Sequence, residues 1–418
     1  MKRLFPIALA LVSILALSGC TNFKGAMKSS SSLTNFLGFT ENPDWYIRKR
    51  YFYPDSKWIP NDFGLQMHYR DIGEGPVVLL LHSEMSSMHS YEKWMEVLSA
   101  EFRVIAIDLP GAGVTSAPHC VDKIEKTCAS NLSLEYIRHT LNYFIEDMKL
   151  EDFSIVANSL SGYLAAEYVL DNSHRIEKVV LVSPLGMPQD TPWILRYMTT
   201  PGLDLVHSYV QPASTVTTIL DELYGSRSNL KEAVRERYIH LAQSEGAFTS
   251  NVRTLKMVRD LMESELDLKI SDIDKPTMIM WGGQDSWGDP THAKKWSEAI
   301  KDSVLLNYPQ LGHVPMEEAP EQSANDVLAF LKGDPIPTLT GLGAGGSFTV
   351  KEAEAEFDKA SLFGTQEGGM ESVDEKTDAE VKESTMEEEA AEPEAEAEME
   401  STEPEAASDA AEGDGHGH

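Results

Sequence analysis

Short apolar runs, each closed by turn residues and separated from the next by a helical period, constrain this chain more than any other feature. The runs are Val77–Leu81, Val104–Ile107, Ser154–Ala157, Val179–Val182 and Thr277–Met280, with Val304–Leu306 as a sixth. A strand that is apolar along its length has no face to offer water. Such strands belong in the middle of a parallel sheet covered on both sides. Leu65–Tyr69 alternates in character and reads as an earlier, more exposed strand. Between the runs, Leu134, Ile137, Leu141, Phe144, Ile145 and Met148 recur at helical spacing, with Ser133 as N-cap. Repetition of strand and helix predicts an α/β fold with a mostly parallel central sheet flanked by helices.

One stretch breaks the rhythm. From about residue 185 to 274 there is no strand pattern. Helical pieces are expected instead around Trp193–Met198, Ser214–Leu223, Leu230–Ser244 and Val252–Glu263. This reads as a helical insertion that roofs the strand ends, where open parallel sheets bind ligands. Residues 44–332 are thus expected to form one domain.

The ends lie outside it. Lys2 and Arg3 precede an apolar run, Leu4 to Leu17, too short to span a bilayer well. Leu17-Ser18-Gly19-Cys20 follows, and this ending resembles the lipobox of bacterial lipoproteins. The resemblance implies a signal peptide over 1–19 and an acylated Cys20 (palmitate or a similar chain) as the first mature residue. Thr21, standing where an Asp would retain the protein, implies sorting to the outer membrane of a cell envelope. An ordinary secretory signal with a chance cysteine is the alternative. Residues 20–43, with the run Ser29 to Ser32, read as a flexible tether. Cys120 and Cys128 are close in sequence in an exported chain, which fits a disulfide closing a short loop; two free thiols on that loop are the other reading.

After Lys332 comes a Pro/Gly linker, 333–350, and then an acidic tail, 351–418. The tail carries more than half of the formal net charge of −32. It holds too little apolar surface to offset its ordering entropy, so disorder is expected. With no basic patch, a nucleic-acid partner is not expected. His416 and His418 lack further anchored ligands, so no metal site is expected. No protein partner for the tail can be named from the sequence.

Three segments carry chemistry. Ala157-Asn158-Ser159-Leu160-Ser161-Gly162 joins a strand-like run to a helical one, so Ser159 sits on a sharp strand-to-helix turn. Ala157 and Ser161 stand where the G-x-S-x-G pattern has glycine; both are small enough for the turn. A serine merely capping a helix is the bland reading. Asp285 follows the strand Thr277–Met280 and is placed to orient an imidazole, with Asp289 as competitor. His313 lies in Leu311-Gly312-His313-Val314-Pro315-Met316, after the strand Val304–Leu306, where Gly312 is expected to free the backbone. The order Ser, Asp, His, with each residue past a strand end, suits nucleophile, orienting acid and base.

From about Gly64 to Lys332 the chain resembles the α/β-hydrolase superfamily in its single-cap branch. Besides those segments, the likeness rests on Leu80-Leu81-His82-Ser83-Glu84 and Asp108-Leu109-Pro110-Gly111-Ala112-Gly113-Val114-Thr115-Ser116. The resemblance implies the α/β-hydrolase fold with a helical cap. It also implies a Ser159–His313–Asp285 triad, with an oxyanion hole from the backbone N–H groups of Leu160 and Glu84. His82 would brace its loop. Ser83 replaces the usual glycine, which costs energy if a positive φ is needed there. Glu84 beside a developing oxyanion is unfavourable unless its side chain points away or is protonated.

The expected reaction is two-step acyl transfer on a small-molecule or lipid ester, with no metal or organic cofactor. A serine at the turn, where haloalkane dehalogenases and epoxide hydrolases carry a carboxylate, argues against those reactions. Hydrolysis of a C–C bond, lactone or amide by the same groups stays open. So does an inactive hydrolase fold serving as an envelope scaffold.

Overall fold

A computed structural model describes residues 37–62, 64–115, 132–265 and 268–340. Cys20, Cys120, Cys128, His416 and His418, the signal segment, most of the tether and the acidic tail lie outside the described residues.

The six apolar runs are strands β3 to β8: β3 (Val77–Leu81), β4 (Arg103–Ile107), β5 (Phe153–Asn158), β6 (Ile176–Val182), β7 (Thr277–Gly282) and β8 (Ser303–Tyr308). They are mutually parallel and lie side by side in the order β4-β3-β5-β6-β7-β8 within one eight-stranded sheet. Every residue of β5 and β7 is buried, which is why Ile155–Ala157 and Met278–Trp281 run apolar without a break. β2 (Gln66–Ile72) pairs antiparallel with β4, Tyr69 opposite Ile107. The four-residue β1 (Lys57–Pro60) continues the edge beyond β2 and was not foreseen. Only Ile59 is buried there, so it lacks the apolar signature, and Lys57 and Pro60 are residues that sheet edges tolerate.

Flanking helices close the core by matched polar contacts as well as apolar ones. The helix Leu134–Asp147 starts where expected, with the Ser133 hydroxyl accepting from the Tyr136 N–H at 3.2 Å. It is tied to the helix Leu160–Asn172 by a forked Arg138–Glu167 pair. Elsewhere the Trp94 indole N–H, on the helix Glu92–Leu98, donates to Ser323 Oγ on the helix Pro320–Lys332 at 2.8 Å.

Between β6 and β7 the described chain is helical: Trp193–Thr199, Leu203–His207, Ala213–Leu223, Glu232–Ala242 and Ala247–Glu263. The last begins five residues before the expected Val252, because Gly246 in the left-handed region opens it. The insertion docks on loops at the carboxyl ends of the strands. His313 N–H donates to Leu223 O at 2.7 Å, and Tyr238 Oη lies 3.0 Å from Ser86 Oγ.

Two expected boundaries move. Residues 38–43 were assigned to a flexible tether, but Gly38 O accepts from Gln211 N–H at 3.0 Å and Glu41 Oε2 accepts from Gly246 N–H at 3.0 Å. Asn42 also pairs with Ser244, so this segment is pinned to the helical insertion and runs into a helix, Asp44–Tyr51. At the other end, Pro337–Thr340 inside the expected linker forms a helical turn, anchored by Thr338 N–H to Asp326 Oδ1 at 2.9 Å. Among the described residues no helix is long and apolar enough to cross a membrane.

Candidate active site

The strand order reverses at β3, which has β4 on one side and β5 on the other. A crevice at the carboxyl ends of the strands forms at such a switch point. Ser159 follows β5 and Glu84 follows β3, so both face it; Asp285 and His313 come from the loops after β7 and β8.

Ser159 holds φ 57 and ψ −117, a conformation costly for a residue with a side chain. The surroundings enforce it. Ser159 N–H donates to Val182 O at 3.0 Å, and Ser159 O accepts from Leu185 N–H at 3.2 Å. The turn is kept tight by the next residues. Ser161 Oγ donates to the His82 carbonyl, so serine there adds a bond between the loops after β5 and β3. Gly162 is the position that admits no side chain, since a Cβ there would lie 2.8 Å from Pro184 Cβ.

The loop after β7 delivers Asp285. Its Oδ1 accepts from Trp287 N–H at 2.9 Å and Gly288 N–H at 2.7 Å, which leaves Oδ2 to bond His313 Nδ1 at 2.8 Å. Asp289, the competitor, instead accepts from Thr291 N–H and faces His292. With Nδ1–H donated to Asp285, His313 Nε2 carries the lone pair. That atom is buried and has no hydrogen-bond partner. Burial alone would lower the His313 pKa; attraction to Asp285, its hydrogen bond and the charges of Glu84 and Glu318 outweigh it and raise the pKa.

Gly312 is required for a different reason from the one expected. Its φ is not positive; a Cβ would lie 2.4 Å from Gly225 N and Leu223 O of the helical insertion. A Cβ on Gly282 would likewise lie 2.0 Å from Gly312 O. The histidine loop is thus wedged between β7 and the insertion. Asn158 Nδ2 also holds it from below, donating to His313 O at 3.3 Å.

At Ser83 the feared strain is absent: the residue with positive φ in this turn is Met85, at 52°. His82 braces the loop as expected. Its Nε2 accepts from Leu109 N–H at 2.9 Å, so Nδ1–H donates to Ser83 O at 2.6 Å.

Glu84 departs from expectation. Its side chain is buried and turns toward Ser159. Oε1 accepts from Trp287 Nε1–H at 2.7 Å and from Ser159 Oγ at 3.3 Å. Oε2 accepts from Ser83 Oγ at 2.9 Å and faces Leu160 N–H at 3.5 Å. The carboxylate therefore sits against the very N–H expected to bind an oxyanion.

A second Ser-His-Asp trio lies at the sheet edge, with His68 Nδ1 2.8 Å from Asp108 Oδ2 and Nε2 2.8 Å from Ser56 Oγ. It acts as a clasp. Ser56 Oγ already takes the Tyr53 N–H at 3.0 Å, and Phe52 stacks on the imidazole with ring centroids 5.3 Å apart. Asp108 gathers Met88 N–H and Val114 N–H as well, tying the loops after β3 and β4 together. Burial would raise its pKa, but His68, His89 and His82 bring it down to about 2.

Sequence reasoning missed the groups that support the histidine loop. Glu317 accepts from Tyr224 Oη–H at 2.7 Å and pairs with Arg237, and Glu318 accepts Gly312 N–H at 2.6 Å and Gly225 N–H at 3.0 Å. Burial holds the Glu318 pKa above its ordinary value despite those bonds. The Glu317-Glu318 pair was visible, but its partners on the helical insertion lie about eighty to ninety residues away. Among the described residues, no group of three or more His, Cys, Asp or Glu side chains is placed to hold a metal ion.

Comparison with known proteins agrees with this architecture. The family model for the alpha/beta hydrolase fold matches residues 76–201. A 2-hydroxy-6-oxo-6-(2'-aminophenyl)hexa-2,4-dienoic acid hydrolase of Metapseudomonas resinovorans is 29% identical over 283 residues, 65% of this chain and 89% of that one. Among solved structures, a meta-cleavage product hydrolase from Pseudomonas fluorescens IP01 aligns with a TM-score of 0.55 and 23% identity, covering 66% of this chain and 97% of its own. A bacterial membrane phospholipase A aligns at 0.55 and 22% identity, covering 80% of this chain and 99% of its own. The chain has the α/β-hydrolase fold.

Proposed function

We propose that this member of the α/β-hydrolase superfamily, a hydrolase, cleaves carboxylic esters by two-step acyl transfer through Ser159, His313 and Asp285. The observation that carries the reading is a buried imidazole in the loop after β8, its Nδ1 fixed by Asp285 and its Nε2 lone pair unengaged, with a strained Ser159 on the turn after β5. In the first step His313 Nε2 takes the Ser159 hydroxyl proton as Oγ attacks the acyl carbon, and the imidazolium then protonates the departing alkoxide. In the second step a water, deprotonated by the same nitrogen, attacks the acyl-enzyme and releases the acid. Asp285 stabilises the imidazolium and fixes its tautomer. Leu160 N–H is the donor to the oxygen that gains charge.

The likeness to a dienoic acid hydrolase favours a second reading, hydrolysis of a C–C bond by the same groups. A panel of nitrophenyl esters of rising acyl length, run beside a 2-hydroxy-6-oxo-dienoate, separates the two. Ester hydrolysis predicts turnover of at least one ester that falls by about 10⁴-fold or more in Ser159→Ala. Turnover of the dienoate alone would install the second reading, and no turnover of either substrate would leave the envelope scaffold.

The chain is further proposed to be exported and anchored by an acylated Cys20, on the strength of Lys2, Arg3, the apolar run and Leu17-Ser18-Gly19-Cys20. Replacement Cys20→Ser should move the protein from the membrane fraction to the soluble one. Continued membrane retention of that variant would remove the anchor.

A further inference from the structure

Glu84 is the feature of the site that acyl transfer leaves unexplained. Its contacts fall into two groups. The bonds to Trp287 Nε1 (2.7 Å) and Ser83 Oγ (2.9 Å) are tight, whereas those to Ser159 Oγ (3.3 Å) and Leu160 N (3.5 Å) are long. The carboxylate is therefore anchored on Trp287 and Ser83 and rests loosely on the two groups that would do chemistry. One oxygen faces the nucleophile's hydroxyl and the other faces the N–H expected to bind an oxyanion. A carboxylic acid product leaving the same serine would place its two oxygens in this way.

Two physical consequences follow. A developing oxyanion cannot approach Leu160 N–H while a like charge stands there, because the two repel in a site sealed from water. The Ser159 hydroxyl also donates to Glu84 and not to His313, so the proton relay is not yet assembled.

We propose that Glu84 is a tethered occupant of the oxyanion site that an incoming acyl group must displace, and hence a specificity-determining residue. Because it is covalently attached, it competes at a high effective concentration with any free ligand for the same donors. The displaced carboxylate remains at the rim on its own loop. It selects against substrates with a negative charge beside the scissile carbonyl and favours those that offer a hydrogen-bond donor or cation there. This rests on the reading of Ser159 as nucleophile.

The test is the rate at which a fluorophosphonate labels the full-length protein, with sodium acetate as a competing anion. Wild type, Glu84→Ala, Glu84→Gln and Ser159→Ala are compared, each checked for the wild-type unfolding midpoint. Glu84→Gln keeps the shape and removes the charge, so it decides if the alanine variant folds poorly. Freeing the site should speed labelling at least about tenfold in Glu84→Ala, up to the roughly 10²–10³-fold scale of one oxyanion donor. Acetate should then protect that variant at concentrations that leave wild type unaffected. Labelling of wild type with no gain in either variant, or equal protection by acetate, would overturn the proposal while leaving the nucleophile in place. Labelling that survives Ser159→Ala, or is absent from every protein, would remove the serine reading and this inference with it. Labelling of the Glu84 variants alone would support the occupant in its strongest form.

Discussion

At the scale of residues, the three groups proposed to react were legible because each follows a strand that the apolar pattern reveals. What was not legible is where side chains turn. Glu84 was expected to contribute its N–H and to be a liability as a carboxylate. Its orientation depends on Trp287, 203 residues away, and on a turn whose positive φ falls at Met85 and not at Ser83. The raised pKa of His313 gives a signed prediction. A base must be neutral to take a proton, so the acid limb of kcat/KM should lie above the ordinary imidazole value of 6.5. Glu84 is one of the charges that raise it, so Glu84→Gln should move the limb toward lower pH; a pH–rate profile of both proteins checks this. An unmoved limb would mean that Glu84 does not face His313. By linkage the pair's contribution to stability runs the other way. It is fully present below the unfolded value and is lost as pH rises through the folded one.

Among elements, strands β3 to β7 could be read because burial on both faces leaves an unbroken apolar run in each, and β8 because of Val304–Leu306. β1 could not, since one buried residue in four makes no pattern. The helical insertion was visible as an interruption, but the way it grips the histidine loop was not. Arg237, on the helix Glu232–Ala242, pairs with Glu317 across that junction, and both side chains are largely buried. Burial would lower the Arg237 pKa, but Glu317 and the neighbouring tyrosines raise it, so the guanidinium stays charged. Removing one partner strands the other. Arg237→Met should cost about 3–5 kcal/mol in urea unfolding, and adding Glu317→Gln should recover much of it. A single-variant loss below roughly 1 kcal/mol would show the junction to be held by other contacts.

For the whole molecule, the sequence delivers the fold class because alternation of strand and helix, with short connections, admits few topologies. The antiparallel edge and the ends of the packed body were less legible. Residues 38–43 leave their one large apolar side chain, Phe39, exposed and are held by backbone bonds to the insertion, which composition cannot reveal. The switch point at β3 then explains why groups from four loops, spread from residue 84 to residue 313, meet at one rim. That meeting is the central claim, and mapping a covalent adduct tests it most directly. After fluorophosphonate treatment, peptide mass spectrometry should find one phosphonylated residue, Ser159, and the His313→Ala variant should acquire the adduct far more slowly. An adduct on Ser56 or another serine, or an undiminished rate without the imidazole, would contradict it.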